Sequence, residues 1–162
     1  MKIMAIDYGD AHTGIAVSDR MLMLTGFSTV INAYRPEVVI EQVKKLVAEH
    51  EVTELVLGHP LNMDGTRGPR AEKAEGFAEQ LKEATGLPVT LWDERRTTVD
   101  AHNILMNNGK NAKQRKKTVD AVAASLMLEG YLTFKKKQMQ RNRSPNGERF
   151  LFTFSVCART PR

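Results

Sequence analysis

An apolar strand that ends on a carboxylate and turns at once into a second apolar strand leaves this chain few ways to fold. Ile3-Met4-Ala5-Ile6 runs into Asp7, the turn Tyr8-Gly9-Asp10-Ala11-His12-Thr13-Gly14 follows, and Ile15-Ala16-Val17 resumes the apolar pattern. Both runs read as buried strands, and so short a link makes them antiparallel neighbours. Asp7 therefore leaves a buried strand at a glycine-walled hairpin mouth. Three uses suit an acid there: a local bond to a turn N–H, a ligand for a divalent ion, or part of a phosphate cradle.

The rest of the chain extends the pattern. Strands are expected at Lys2–Asp7, Gly14–Ser18 and roughly Leu24–Ile31, a three-strand meander. Arg35-Pro36 opens a helix whose Val38, Val39, Gln42, Val43, Leu46 and Val47 recur at helical spacing. Glu54–Gly58 reads as a short buried strand ended by His59-Pro60. The turn-rich loop Leu61–Pro69 leads to a helix carrying Ala71, Ala74, Phe77, Ala78 and Leu81 and ending near Gly86. Val89–Trp92 is the next strand. Thr97 or Thr98 caps a helix to about Asn107, and a last helix runs from about Thr118 to Lys135.

The order βββ-α-β-α-β-α-α predicts an α/β fold. It is a ribonuclease H-like mixed five-stranded sheet, three antiparallel strands then two parallel ones, flanked by helices. Right-handed crossovers set the fourth and fifth strands parallel to the first. Their carboxyl ends then share an edge with Asp7, where open α/β sheets collect ligands.

Charge is unevenly distributed. The net charge is +5, but residues 135–162 hold eight Lys or Arg against one Glu, which leaves the preceding body at −2. One folded domain over 1–134 is expected, with 135–162 a basic, weakly ordered extension in which Phe150–Phe154 is the apolar exception. The single Cys157 cannot form an internal disulfide, and no apolar run nears the roughly 20 residues that span a bilayer. A cytoplasmic protein with no membrane partner is expected.

Two further acids are placed to join Asp7. The fifth strand ends in Trp92-Asp93-Glu94-Arg95-Arg96, so Asp93 or Glu94 projects at the shared edge. Asp120 is the lone acid among Val119, Ala121, Val122, Ala123 and Ala124, in the first turn expected of the last helix, where the helix dipole also favours an acid. Crowded carboxylates repel unless a cation neutralises them. A hard divalent ion does so through oxygen, and a pair of such ions activates water against a phosphodiester. Arg95 and Arg96 suit a scissile phosphate. Asn62, Thr66, Arg67 and Arg70 near the second helix, and Lys113, Arg115, Lys116 and Lys117 before Asp120, suit backbone phosphates.

Four ordered segments carry a resemblance: Ala5-Ile6-Asp7-Tyr8-Gly9, Gly58-His59-Pro60-Leu61-Asn62-Met63-Asp64-Gly65, Asp93-Glu94-Arg95-Arg96-Thr97-Thr98 and Asp120-Ala121-Val122-Ala123-Ala124. Over roughly residues 1–134 the chain resembles the YqgF/RuvX family of Holliday-junction-resolvase-like proteins, nucleases for pre-16S ribosomal RNA. The resemblance implies a hydrolase with catalytic, metal-binding Asp7, Glu94 and Asp120, Mg²⁺ or Mn²⁺ as cofactor, and structured RNA or branched DNA as partner. Ribosomal precursor particles are further expected partners, with the chain a monomer or homodimer. The first turn departs from the pattern: Ala11-His12-Thr13 stands where the family often carries Lys-Arg. Two rivals use the same features. A sugar-kinase-type ATPase also opens on Asp-x-Gly but needs a second lobe, for which 162 residues leave no room. A non-catalytic ribosome-assembly factor would use the basic segments alone.

Overall fold

In the computed structural model the described residues are 1–93 and 112–142, with side chains described over 1–93 and 121–141. The helix expected between Thr97 and Asn107 lies outside them. The order is β1 (Ile3–Tyr8), β2 (His12–Ser18), β3 (Thr25–Asn32), α1 (Pro36–His50), β4 (Glu54–His59), α2 (Pro69–Thr85), β5 (Val89–Asp93) and α3 (Ala112–Asn142). The sheet runs β3-β2-β1-β4-β5. β1 pairs antiparallel with β2 and parallel with β4, and β4 pairs parallel with β5, as the crossover rule requires.

Strand alternation sorts the core into two layers. Met4, Ile6, Leu55 and Leu57 face α1 and α2, where they pack with Val39, Val43, Phe77 and Leu81. Ile3, Ala5, Val56 and Trp92 face α3, where they meet Ala124, Leu128, Tyr131 and Leu132. β1 is central and buried on both faces, hence its unbroken apolar run.

Both crossover helices begin and end as their sequences dictate. Pro36 and Pro69 occupy first-turn positions where a missing N–H is harmless. Gly86 closes α2 at φ 69°, and Glu51 closes α1 at φ 57° without glycine's freedom.

α3 differs most from the sequence reading. It starts at Ala112 and runs on through residues 135–142, past the boundary read from composition. Asp120 consequently sits in its third turn, so a first-turn dipole effect does not account for it. The cause is propensity: Lys, Gln, Arg and Met carry a helix well once packing has nucleated it, apolar stripe or not.

α3 is pinned to the sheet by a buried polar group. Tyr131 donates its hydroxyl to Glu54 Oε1 and the Lys135 ammonium donates to Oε2 of the same carboxylate. Glu54 opens β4 beside Ile3, so this anchor lies at the end of the sheet remote from Asp7.

Candidate active site

Asp7 pairs with Gly14 at the carboxyl end of β1. The connection to β2 is shorter than the sequence suggests. β1 continues through Tyr8 and β2 begins at His12, leaving Gly9, Asp10 and Ala11 as the link. A Cβ on Gly9 would lie 2.4 Å from the His12 carbonyl oxygen, so only glycine fits so tight a turn. The Ala33 N–H donates to the Ala11 carbonyl at 3.1 Å and ties the link to the end of β3.

A cavity of about 300 Å³ opens at this edge. Asp7, Tyr8, Gly9, Asp10 and His12 line it together with Pro60, Arg70 and Lys73. Two acids and two cations thus line one small polar space. His12 Nδ1 shares a 2.7 Å hydrogen bond with Asn32 Oδ1 across the β2–β3 pair.

The aromatic ring after Asp7 fixes the α2 wall. Tyr8 stacks on Phe77, centroids 3.9 Å apart and planes within 4°. The Lys73 ammonium stands 5.6 Å over the same Tyr8 ring and donates to Asp10 Oδ1. That bond holds the Asp10 carboxyl below its ordinary range and, reciprocally, raises the Lys73 ammonium.

The sequence-derived candidates divide by place. Arg70 reaches the Asp7 cavity. Arg67 instead pairs with Glu75 at 3.5 Å, and the same Glu75 oxygen lies 2.9 Å from His59 Nε2. Asn62 Nδ2 donates to Thr66 Oγ1 at 2.8 Å, binding the loop to itself. Asp93 pairs with His59 at the end of β5, on the alternation opposite to Trp92 and so away from the α3 face that β1 presents at Ile3, Ala5 and Asp7. Glu94, Arg95 and Arg96 lie outside the described residues. Lys113, Arg115, Lys116, Lys117 and Asp120 belong to α3, with side chains outside them too; Asp120 stands one turn ahead of buried Ala124. Among the described residues no group of three or more His, Cys, Asp or Glu forms a metal cluster.

Sequence reading missed Lys73 and Asp10. The signal was present: Lys73 follows Arg70 by three residues, so both share one helix face, and Asp10 puts an acid in a turn otherwise expected to be basic.

This sheet order, with an acid at the end of its central strand, defines the ribonuclease H-like class. The fold matches T. thermophilus RuvC in complex with a Holliday junction substrate, with TM-score 0.57 and 15% identity over 83% of this chain and 96% of that one. Residues 1–134 match the family model described as RuvX, Holliday junction resolvase. A Halothermothrix orenii protein is 43% identical over 85% of this chain and 98% of its own length, and one from Carboxydothermus hydrogenoformans is 42% identical over 85% and 99%. Both bear the name "Putative pre-16S rRNA nuclease". The chain belongs to the RuvX family, a nuclease family of Holliday-junction-resolvase type.

Proposed function

We propose that this chain is a divalent-metal-dependent nuclease that hydrolyses phosphodiester bonds of structured RNA, its substrate the 5′ end of precursor 16S ribosomal RNA. The observation that carries the reading is the position of Asp7. Asp7 ends the central strand and lines a polar cavity together with Arg70 and Lys73. Acid for a metal and cation for a phosphate then meet at the carboxyl edge of the sheet. The names of the relatives supply the substrate.

Asp7, Glu94 and Asp120 are the metal ligands in this reading. An all-carboxylate set suits Mg²⁺ or Mn²⁺ and not a thiophilic ion. Asp93 falls on the other face from Asp7, which favours its neighbour Glu94 as the ligand. The bound ion would activate water and neutralise the leaving oxygen. Arg70, Arg95 and Arg96 would hold the scissile strand, while Lys113, Arg115, Lys116 and Lys117 give a salt-dependent grip on the flanking backbone. Asn62 and Arg67 border that path at the start of α2.

Residues 1–134 form the nuclease domain and 135–162 a basic extension in this reading, and the cytoplasm, where ribosomal precursors are made, is its place. No helix among the described residues is long and apolar enough to cross a membrane.

The family description favours one second reading, cleavage of four-way DNA junctions. A symmetric junction needs two active sites, hence a homodimer, whereas an RNA end needs only a monomer. The test compares wild type with Asp7→Asn on end-labelled precursor RNA and on junction DNA, in Mg²⁺ and Mn²⁺, alongside a solution mass. The variant is expected to lose cleavage at least about a hundredfold, the scale of a lost electrostatic stabiliser. Undiminished cleavage by Asp7→Asn would remove the metal-site reading. Ribosome maturation undisturbed by any of the three carboxylate changes would point to the assembly-factor role.

A further inference from the structure

We propose that Lys73, beside Arg70, is a phosphodiester-binding subsite of the Asp7 cavity, and that the Asp10 carboxylate occupies it as a built-in stand-in for the phosphate. The proposal rests on the nucleic-acid reading of the site and names a contact that reading lacks.

Three observations support it. Lys73 lines the same cavity as Asp7, so an anion on its ammonium enters the space that Asp7 also borders. The ammonium is pre-positioned, since it rides on a Tyr8 ring stacked against Phe77, which is 3% exposed. Its partner Asp10 comes from the three-residue link, 63 positions away, and presents an oxyanion to a cation as a phosphate would.

The pair has little reason to exist for stability. The Lys73 and Asp10 side chains are 53% and 76% exposed, and ion pairs so open add almost nothing to folding. The Asp10 carboxyl is held below its ordinary range by Lys73, so at neutral pH it is ionised and competes with a phosphodiester for the ammonium.

A phosphate entering the subsite displaces Asp10 and takes over Lys73 and Arg70. No covalent change is involved. Asp10 therefore weakens binding in two ways, by occupying Lys73 and by adding a negative charge to the rim. Only the first depends on Lys73, which makes the two separable.

The experiment measures binding of a fluorescent RNA hairpin, and of the DNA of the same sequence, in chelator so that no cleavage occurs. Wild type, Asp10→Ala, Lys73→Ala and the double variant are compared over a salt series. Asp10→Ala is expected to bind about two- to fivefold tighter, the worth of one exposed ion pair. Lys73→Ala is expected to bind more weakly and to lower the salt slope by roughly 0.7–0.9, one phosphate contact. The gain from Asp10→Ala should shrink in the Lys73→Ala background. An equal gain in both backgrounds would reduce Asp10 to a simple charge and overturn the stand-in. An unchanged salt slope for Lys73→Ala would overturn the subsite, as would absence of binding by wild type. Cleavage by wild type in Mg²⁺ is scored separately, so the nuclease reading can stand while the subsite falls, or the reverse.

Discussion

Tyr131 of α3 and Glu54 of β4 meet in a hydrogen bond between residues 77 positions apart, with the phenol as donor and a 9%-exposed carboxylate as acceptor. Burial, and then that carboxylate, push the Tyr131 hydroxyl up to about 12. A raised phenol favours the neutral form in the folded state. Its contribution is therefore complete below about pH 10 and is lost as pH rises to about 12. Chemical denaturation across that window should show a loss of about 2–3 kcal/mol at most, at 1.36 kcal/mol per pKa unit. Ultraviolet titration should show one tyrosine ionising near 12.

Tyr131→Phe should remove that alkaline step and cost about 1–3 kcal/mol at neutral pH, because Glu54 loses a buried donor. Urea unfolding checks the cost. A neutral-pH stability equal to wild type would mean that Lys135 alone satisfies the carboxylate.

Gly9→Ala should be costly at a position that looks harmless. The added methyl would meet the His12 carbonyl at 2.4 Å, and both partners are backbone, so the hairpin must open. A destabilisation of about 1–3 kcal/mol is expected, the range of steric overpacking. Cleavage should fall further than stability explains, because Asp7 is two residues away. Thermal unfolding and cleavage rates measured on one preparation separate the two effects.

Glu51→Gly should stabilise the chain. Glu51 holds φ 57°, which costs a residue with a Cβ roughly 1–2 kcal/mol, and glycine recovers part of this after its own entropy loss. The Arg20–Glu51 pair given up is about three-quarters exposed on both sides and adds little. A net gain of about 0.5 kcal/mol is expected, read as a midpoint shift in urea with unchanged slope.

Thr13→Val tests the other face of polar burial. Thr13 is fully buried and its Oγ1 has no hydrogen-bond partner among the described residues. Replacing the hydroxyl by a methyl of the same shape should raise stability by about 1 kcal/mol, again measured by urea unfolding.

The strands and both crossover helices were legible because each announces itself locally. Pro36 and Gly86 mark helix ends, and the short unbroken apolar run within Glu54–Gly58 reads directly as a buried strand. The parallel pairing of β1, β4 and β5 followed from connection length and handedness alone. The start of α3 was not legible, because Lys113 to Lys117 form helix through propensity and not through an apolar stripe. Nor was the Lys73–Asp10 contact, which depends on how closely α2 approaches the β1–β2 link. Spacing along a chain carries no record of such a distance. Asp7 could be singled out from sequence because a strand's end has a fixed relation to its sheet. Arg70 and Arg67 could not be told apart. Arg70 stands in the first turn of α2 and Arg67 in the loop before it, and the path of that loop decides which cavity each lines.

The close approach of Gly9 to the His12 carbonyl has a consequence for how such a protein can change. The tightness of the hairpin is set in the main chain, by the Gly9 approach and the Ala11–Ala33 bond, to which the His12–Asn32 and Asp10–Lys73 contacts add. The position of Asp7 is set by its backbone pairing with Gly14, one step removed from the side chains at 10, 11 and 12. Those positions form an interchangeable fitting on a rigid mount. A chain can carry other residues than a basic pair at its first turn and leave its strand-end carboxylate where it was.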